Sequence, residues 1–282
     1  MQSQWYQEGD VLLEDIFHSK NPDTGALLWF LGQSGFAFRI GSELFLIDAV
    51  LDGLLNRSGV SQRVFPSPFL PEALKEVDYF LCTHGHIDHM PIPTILPLAA
   101  ACPKTKFIVP LPEAEKLENA GIPKERIIPA SVHAPIQTKS TTISSVAAAH
   151  TKYRTDDHGE HFYLSYVIKG EDVSIFHAGD TVVTTDLMEA VKQLAPIDIA
   201  LLPINGRDWK RTDNHIIGNM NARDAVVFSM ETGAELTIPC HYDMFPGNTE
   251  DPSVFVQYFY RLCPEKRHKV MALGEKLFYT RR

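Results

Sequence analysis

The chain has 282 residues, of which 44% are hydrophobic and 22% charged, and its formal net charge is −9. This length and balance predict one globular domain over residues 1–282 with a large apolar core. The negative charge disfavours a large nucleic-acid interface, because such an interface needs clustered lysine and arginine side chains to displace counterions.

The sequence indicates neither a membrane protein nor a disulfide-stabilised one. It has no stretch of about 18 apolar residues, and its start, MQSQWYQEGDVLLEDIF, lacks a basic region followed by an apolar one. The four cysteines, Cys82, Cys102, Cys240 and Cys263, match neither a disulfide scaffold nor a thiolate metal knuckle. We therefore expect a cytoplasmic protein with reduced thiols and without a membrane or nucleic-acid partner.

Apolar periodicity predicts strands first and then alternating helices and strands. The predicted strands lie at residues 27–31, 36–40, 44–49, 78–82, 106–110, 141–149, 173–178, 198–204, 235–240 and 269–273. The predicted helices lie at residues 72–77, 93–101, 112–120, 186–194, 221–232 and 252–262. Residues 58–71 contain three prolines and predict a loop that forms one wall of a site. The order predicts an α/β fold, an αββα sandwich with helices outside two sheets.

One short segment concentrates side chains that bind divalent metals. Residues 83–90 read THGHIDHM, directly after the apolar strand candidate at 78–82. A strand end followed by a tight turn can direct His84 and His86 to one point, and Asp88 and His89 to a second point nearby. Imidazole and carboxylate groups are ordinary ligands of Zn²⁺ and Mn²⁺. The segment therefore predicts two metals that share a water.

Further ligands are expected where other apolar strand candidates end. His150 follows the alternating run at 141–149, Asp180 follows the run at 173–178, and His241 follows the run at 235–240. Loops at strand ends can deliver such side chains to a common cleft. We expect these three residues to complete the dinuclear site.

These motifs, in this order, resemble the metallo-β-lactamase superfamily over nearly the whole chain. The motifs are HGHIDH, His150 at a strand end, HAGDT with Asp180, and CHYD with His241. The resemblance implies the αββα sandwich of that superfamily, with two mixed β-sheets. It also implies that His84, His86 and His150 hold one metal, that Asp88, His89 and His241 hold the other, and that Asp180 bridges them.

The resemblance suggests residues that support the ligands without binding metal. Asp48, at the end of a predicted strand, resembles the early aspartate of the superfamily, which usually has such a role. His177 lies on an apolar strand just before the HAGDT turn. We expect His177 to be buried and hydrogen-bonded, and include it with Asp48 as a candidate support.

A finer resemblance concerns the stretches WFLGQSGFAFRI, PINGRDWKR and IIGNMNARDAV. They resemble the branch related to L-ascorbate-6-phosphate lactonase, which implies hydrolysis of a small anionic, phosphorylated lactone and favours Mn²⁺. The expected cofactor is therefore one or two ions of Mn²⁺ or Zn²⁺. In the mechanistic hypothesis, a hydroxide activated by the metals attacks the carbonyl carbon, and Asp88 or an acidic neighbour moves the proton to the leaving alkoxide.

Three basic residues are candidates for binding a substrate phosphate. Arg207, Lys210 and Arg211 follow a strand end and the turn at 205–206, which can place them over the metals. His215, in the same loop, is a further candidate for substrate contact. The alternative is that this basic loop is only solvated and that its surface ion pairs contribute little to stability.

Other functions fit the same ligand set. Two metals can also activate water for attack at phosphorus, which predicts a phosphodiesterase or nuclease as the alternative enzyme. A protein that uses the metal site for ligand sensing or assembly is a third possibility. For the leading interpretation the expected partner is a small anionic metabolite, and a homo-oligomer is a candidate assembly.

Overall fold

Two seven-stranded β-sheets form the centre of the computed structural model, which describes residues 4–20, 24–54 and 62–281. The strands of the first sheet are β1 (Ala26–Gly32), β2 (Gly35–Ile40), β3 (Glu43–Ile47), β4 (Tyr79–Leu81), β5 (Lys106–Pro110), β6 (Ile127–Ala130) and β14 (Lys276–Tyr279). Their spatial order is β14-β1-β2-β3-β4-β5-β6. Strands β3 to β6 are parallel, and the remaining pairs are antiparallel.

The second sheet has the same mixture of parallel and antiparallel pairs. Its strands are β7 (Ile136–Gln137), β8 (Thr142–Ala147), β9 (Leu164–Lys169), β10 (Ser174–His177), β11 (Ile199–Pro203), β12 (Leu236–Cys240) and β13 (Arg267–His268). Their spatial order is β13-β12-β11-β10-β9-β8-β7. Strands β10 to β13 are parallel, whereas β7 to β10 are antiparallel.

Both faces of β1 are buried, and this follows from its position between two apolar layers. Alternate side chains of a strand point to opposite faces of the sheet. Leu28 and Phe30 pack in the layer between the two sheets, with residues such as Tyr166 of the second sheet. Leu27 and Trp29 pack on the other face, where the helices lie. The β1 sequence is therefore continuously apolar.

Helices cover the outer faces of both sheets. The helices are α1 (Gly9–His18), α2 (Ile92–Ala101), α3 (Ala114–Asn119), α4 (Thr185–Gln193), α5 (Trp209–Asp213), α6 (Ala222–Thr232) and α7 (Pro252–Leu262). Apolar residues of α1, α2 and α3 pack on the first sheet, and those of α4, α6 and α7 pack on the second. The expected αββα sandwich with two mixed sheets is confirmed. Within the described ranges, every helix is too short or too polar to cross a bilayer.

Most predicted elements agree with the structure to within two residues, but two predictions are wrong. Residues 72–77 form only a 3-10 turn, Pro71–Ala73, because Leu74 is already extended as the chain approaches β4. Residues 269–273 are irregular, because they carry the chain from β13 in the second sheet to β14 in the first. The proline-containing loop at 58–71 lies partly outside the described residues, which resume at Gln62.

The two sheets are joined far from the carboxyl end of β3 by a buried carboxylate. Glu43, at the start of β3, is 1% exposed. It accepts hydrogen bonds from the Thr138 hydroxyl at 2.7 Å and from the Lys139 and Ser140 backbone N–H groups at 3.1 and 3.0 Å. The Ser140 hydroxyl donates a further bond at 2.5 Å. These donors lie in the turn between β7 and β8, so one side chain holds the two sheets together there.

Replacement of Glu43 by Ala is expected to lower the free energy of unfolding by about 2–4 kcal/mol, because it removes four hydrogen bonds to a buried, charged acceptor. Urea titration of the variant measures this loss as a lower midpoint at an unchanged slope. Glu118→Ala, on the exposed side of α3, is the matched control and should change stability by less than about 0.5 kcal/mol. Equal midpoints for the two variants would contradict the proposed role of Glu43.

Candidate metal centre

The candidate ligands leave the two sheets at the carboxyl ends of strands. Residues 84–89 follow β4, Asp180 follows β10, and His241 follows β12. Strand β8, which precedes His150, runs in the same direction as β10, because each is antiparallel to β9. The topology thus directs loops from both sheets to one end of the sandwich, and the side chains meet there.

The structure brings all seven predicted ligands together in two adjacent groups. The first cluster is His84, His86, His150 and Asp180, and the second cluster is Asp88, His89 and His241; within each, the ligand atoms lie within 4.8 Å of one another. Six of the residues divide between the clusters as the superfamily resemblance implies.

Asp180 touches both clusters. Its Oδ1 atom lies 3.2 Å from His89 Nε2 and 3.1 Å from His241 Nε2, which belong to the second cluster. Its Oδ2 atom lies 3.7 Å from His150 Nε2 of the first cluster. The carboxylate therefore has the position that a bridging ligand requires.

Several buried polar atoms of the clusters fit a bound cation. His89 Nε2 and Asp180 Oδ1 are buried and have no hydrogen-bond partner, although they lie 3.2 Å apart. Buried polar atoms in proteins are almost always paired. A divalent ion between a nitrogen and a carboxylate oxygen would satisfy both, and imidazole and carboxylate are suitable donors. The residues present fit divalent metal ions.

The site concentrates negative charge around buried imidazoles. Burial opposes the charged form of His89, but Asp180, Asp88 and Asp48 outweigh it and raise the pKa of His89 well above its ordinary value. Burial also opposes ionisation of Asp180, yet His241 and His89 hold its pKa well below the ordinary value. The carboxylates are therefore ionised at neutral pH, and their charge attracts cations.

Asp48 fixes the orientation of one candidate ligand. Asp48 is fully buried, and its Oδ2 atom lies 2.6 Å from His89 Nδ1. It also accepts hydrogen bonds from the Thr83 N–H at 2.8 Å and the Thr83 hydroxyl at 2.7 Å. Because a carboxylate only accepts, His89 Nδ1 carries the proton, and Nε2 points towards Asp180. This contact is the one expected of a supporting residue.

His177 joins two loops of the site through the backbone. The Gly179 N–H donates to His177 Nδ1 at 3.1 Å, so His177 Nε2 carries a proton and donates to the Ser34 carbonyl at 2.8 Å. Burial lowers the pKa of His177, which keeps the ring neutral. The side chain is buried and hydrogen-bonded as predicted, and it holds the turn before Asp180 against the loop after β1.

Two side chains at the site were not predicted. The Tyr163 ring lies 5.0 Å from His84, 5.8 Å from His86 and 5.3 Å from His150, between ring centroids, and covers one side of the first cluster. Gln33 lies against the second cluster, with Nε2 3.1 Å from Asp88 Oδ2. Tyr163 carries no spacing signal, whereas Gln33 lies inside WFLGQSGFAFRI, a stretch noted only for its resemblance.

Comparisons with known proteins agree with this geometry. The family model described as "Beta-lactamase superfamily domain" matches residues 44–242. A UPF0173 metal-dependent hydrolase of Pyrococcus horikoshii is 30% identical over 254 residues, which are 88% of this chain and 97% of that protein. The chain belongs to the metallo-β-lactamase superfamily.

Two other similarities show how far the superfamily match extends. An uncharacterized protein of Mycobacterium tuberculosis is 28% identical over 225 residues, which are 78% of this chain but 59% of that longer protein. Among solved structures, Igni18, a metallo hydrolase from Ignicoccus hospitalis, has a TM-score of 0.69 at 22% identity, and the match covers 91% of this chain and 99% of Igni18. This likeness establishes a common fold.

The basic loop, which follows β11 and carries Arg207, Lys210, Arg211 and His215, is only partly free to bind an anion. Arg207, Lys210 and His215 are exposed. Arg211, in contrast, donates to the backbone carbonyls of Asn205 and Gly247, and to that of Thr249 at 2.8 Å. Arg211 therefore binds the loop to its neighbour, and Arg207 and Lys210 remain the candidates for phosphate contact.

Replacement of Asp48 by Asn is expected to weaken binding of an ion at the second cluster by about 10–100-fold, because His89 loses its charged acceptor. Equilibrium dialysis against Mn²⁺ or Zn²⁺, followed by elemental analysis, measures the loss. Asp10→Asn, on the exposed side of α1, is the matched control. Unchanged metal affinity in Asp48→Asn would contradict the role given to this carboxylate.

Proposed function

We propose that this protein is a metal-dependent hydrolase that opens a small anionic lactone, with a phosphorylated sugar lactone as the substrate class. The observation that carries the proposal is the meeting of seven imidazole and carboxylate side chains in two clusters with Asp180 between them. Membership of the metallo-β-lactamase superfamily supports hydrolysis. The lactone rests on the resemblance of three sequence stretches to the lactonase branch.

In this proposal the chain holds two Mn²⁺ or Zn²⁺ ions, with His84, His86 and His150 at one and Asp88, His89 and His241 at the other. Bound ions of this kind lower the pKa of water and polarise an electrophilic oxygen. Thiolate ligands have no part in it, because neither cluster contains a cysteine. Imidazole and carboxylate ligands suit Zn²⁺ as well as Mn²⁺, and it is the resemblance to the lactonase branch that favours Mn²⁺.

The role proposed for Asp88 is proton transfer. The Asp88 Oδ2 atom lies 3.5 Å from both His89 Nε2 and His241 Nε2, so its carboxylate lies at the second cluster and is a candidate base. In lactone hydrolysis, water adds its oxygen to the carbonyl carbon, the ring C–O bond breaks, and the alkoxide takes a proton. Asp88 accepts the proton from water and returns it to the alkoxide, which stays tethered to the product.

A substrate panel tests the class of reaction. Protein reconstituted with Mn²⁺ or Zn²⁺ is expected to hydrolyse sugar-phosphate lactones faster than bis(p-nitrophenyl) phosphate or short RNA, and chelation should remove the activity. Preferred hydrolysis of the phosphodiesters would instead favour the phosphodiesterase alternative. Tight metabolite binding without hydrolysis of any substrate would overturn the enzyme assignment.

Replacement of Asp88 by Ala tests the same proposal at the site. The variant is expected to lose at least about 100-fold in kcat, in the range of a lost general base, and to bind less metal at the second cluster. Asp10→Ala serves as the matched surface control. Full activity in Asp88→Ala would contradict the role of Asp88 both as ligand and as base.

The exposed part of the basic loop is proposed to bind the substrate phosphate. Strand β11 ends at the same end of the sandwich as the clusters, and the Met220 N–H donates to the Thr181 carbonyl at 2.9 Å, which holds the loop beside Asp180. Arg207→Ala is expected to raise KM for a phosphorylated substrate about tenfold, with little change in kcat, because it removes one charged contact. Arg223→Ala, exposed on α6, is the control. An unchanged KM would favour a solvated loop.

A further inference from the structure

Gln33 is a completely buried glutamine whose backbone is attached to the segment that carries His241. It lies in the turn between β1 and β2, with a φ angle of 54°. Its N–H donates to Asp243 Oδ1 at 2.8 Å, and its carbonyl accepts from the His241 N–H at 2.7 Å. A left-handed conformation is unfavourable for a residue other than glycine, and such residues concentrate at functional sites. The backbone thus fixes this side chain beside the second cluster.

The Gln33 amide occupies the place of an additional ligand at the second cluster. The atom assigned as Nε2 lies 3.1 Å from Asp88 Oδ2 and 3.0 Å from His241 Nε2. Ligand atoms that surround one ion at about 2.0–2.2 Å lie roughly 3–3.5 Å from one another. The same amide atom is 3.3 Å from His241 Nδ1, and one N–H group cannot donate well to both nitrogens of a ring. Hydrogen bonding alone therefore explains this contact poorly.

The other atom of the amide, Oε1, is buried and has no hydrogen-bond partner. An unpaired buried carbonyl oxygen is costly, because it has lost its contact with water. A half-turn about the last side-chain torsion exchanges the two amide atoms without changing the shape of the group. After this exchange the oxygen faces Asp88 and His241, where a cation would be its partner.

We propose that the carbonyl oxygen of Gln33 is a further metal ligand, at the position formed by Asp88, His89 and His241. This inference rests on the proposed metal centre. A neutral oxygen ligand, added to Asp88 and to the Asp180 carboxylate, makes this position richer in oxygen than the first cluster. Oxygen ligands favour harder ions, so the second position should prefer Mn²⁺ over Zn²⁺ more strongly than the first position does.

The test is a titration of the protein with Mn²⁺, in which the concentration of free Mn²⁺ is measured from its EPR signal. The variants are Gln33→Glu, Gln33→Asn and Gln33→Leu. Gln33→Glu keeps an oxygen ligand, so it should bind the ion of the second cluster within about threefold of the wild type, or more tightly. The side chain in Gln33→Asn is too short to reach the ion, and that in Gln33→Leu has no ligand atom. Both variants should therefore bind this ion about 10–100-fold more weakly.

Gln33→Asn is also the control for folding, because asparagine tolerates the left-handed conformation at this turn. Its thermal midpoint without metal, and its affinity for the ion of the first cluster, should equal those of the wild type. Weak binding by Gln33→Glu, equal to that of Gln33→Leu, would show that the amide acts only as a hydrogen-bond donor and would overturn the proposal.

Two further outcomes distinguish the ligand role of Gln33 from the proposed metal centre. Two ions bound with wild-type affinity in all three variants would overturn the ligand role of Gln33 and leave the metal centre intact. Failure of the wild-type protein to bind Mn²⁺ would overturn the proposed metal centre, and the ligand role of Gln33 with it.

Discussion

The Asp180 carboxylate is the contact on which the arrangement of the site depends, because it is within 4 Å of imidazoles from both clusters. The residue before it, Gly179, is held by His177, and the residue after it, Thr181, accepts a hydrogen bond from the loop that follows β11. Loops from the two sheets thus meet at one carboxylate. A shift of this turn would remove the shared carboxylate even if every other candidate ligand stayed in place.

The sandwich provides the rigidity that such a site requires. Among the described residues, six other than glycine have positive φ angles, and Gln33, Asp48 and His241 are three of them. A fourth, Thr151, directly follows His150. Unfavourable backbone conformations persist only where the surrounding structure determines them. Here the apolar layers on both faces of each sheet stabilise the strands, and Gln33, Asp48 and His241 each directly follow the last residue of a strand.

Much of the site could be predicted because metal ligands have a local signal. THGHIDHM places four ligands in six positions, and His150, Asp180 and His241 each follow an apolar run that ends a strand. Most strands and helices were also predicted, because their apolar periodicity is strong. The division of six ligands between two clusters came from the superfamily resemblance, and the structure places them in the same groups.

The remaining features depend on contacts between distant parts of the chain, which leave no local pattern. Residues 269–273 are as apolar as a strand, but they cross between the sheets because β14 pairs with β1. Arg211 follows a strand end as an anion-binding residue would, yet its guanidinium donates hydrogen bonds to backbone carbonyls of a neighbouring loop. Gln33 comes 55 positions before Asp88 in the sequence. Only the folded chain shows that they are neighbours.

We propose that the two clusters hold a pair of divalent ions with Asp180 between them. A crystal structure of protein grown with Mn²⁺, with anomalous diffraction recorded on both sides of the manganese absorption edge, tests this arrangement. Two anomalous peaks about 3.5–4 Å apart are expected, one at each cluster, with the Asp180 carboxylate touching both. Well-ordered clusters without a peak at either would contradict it.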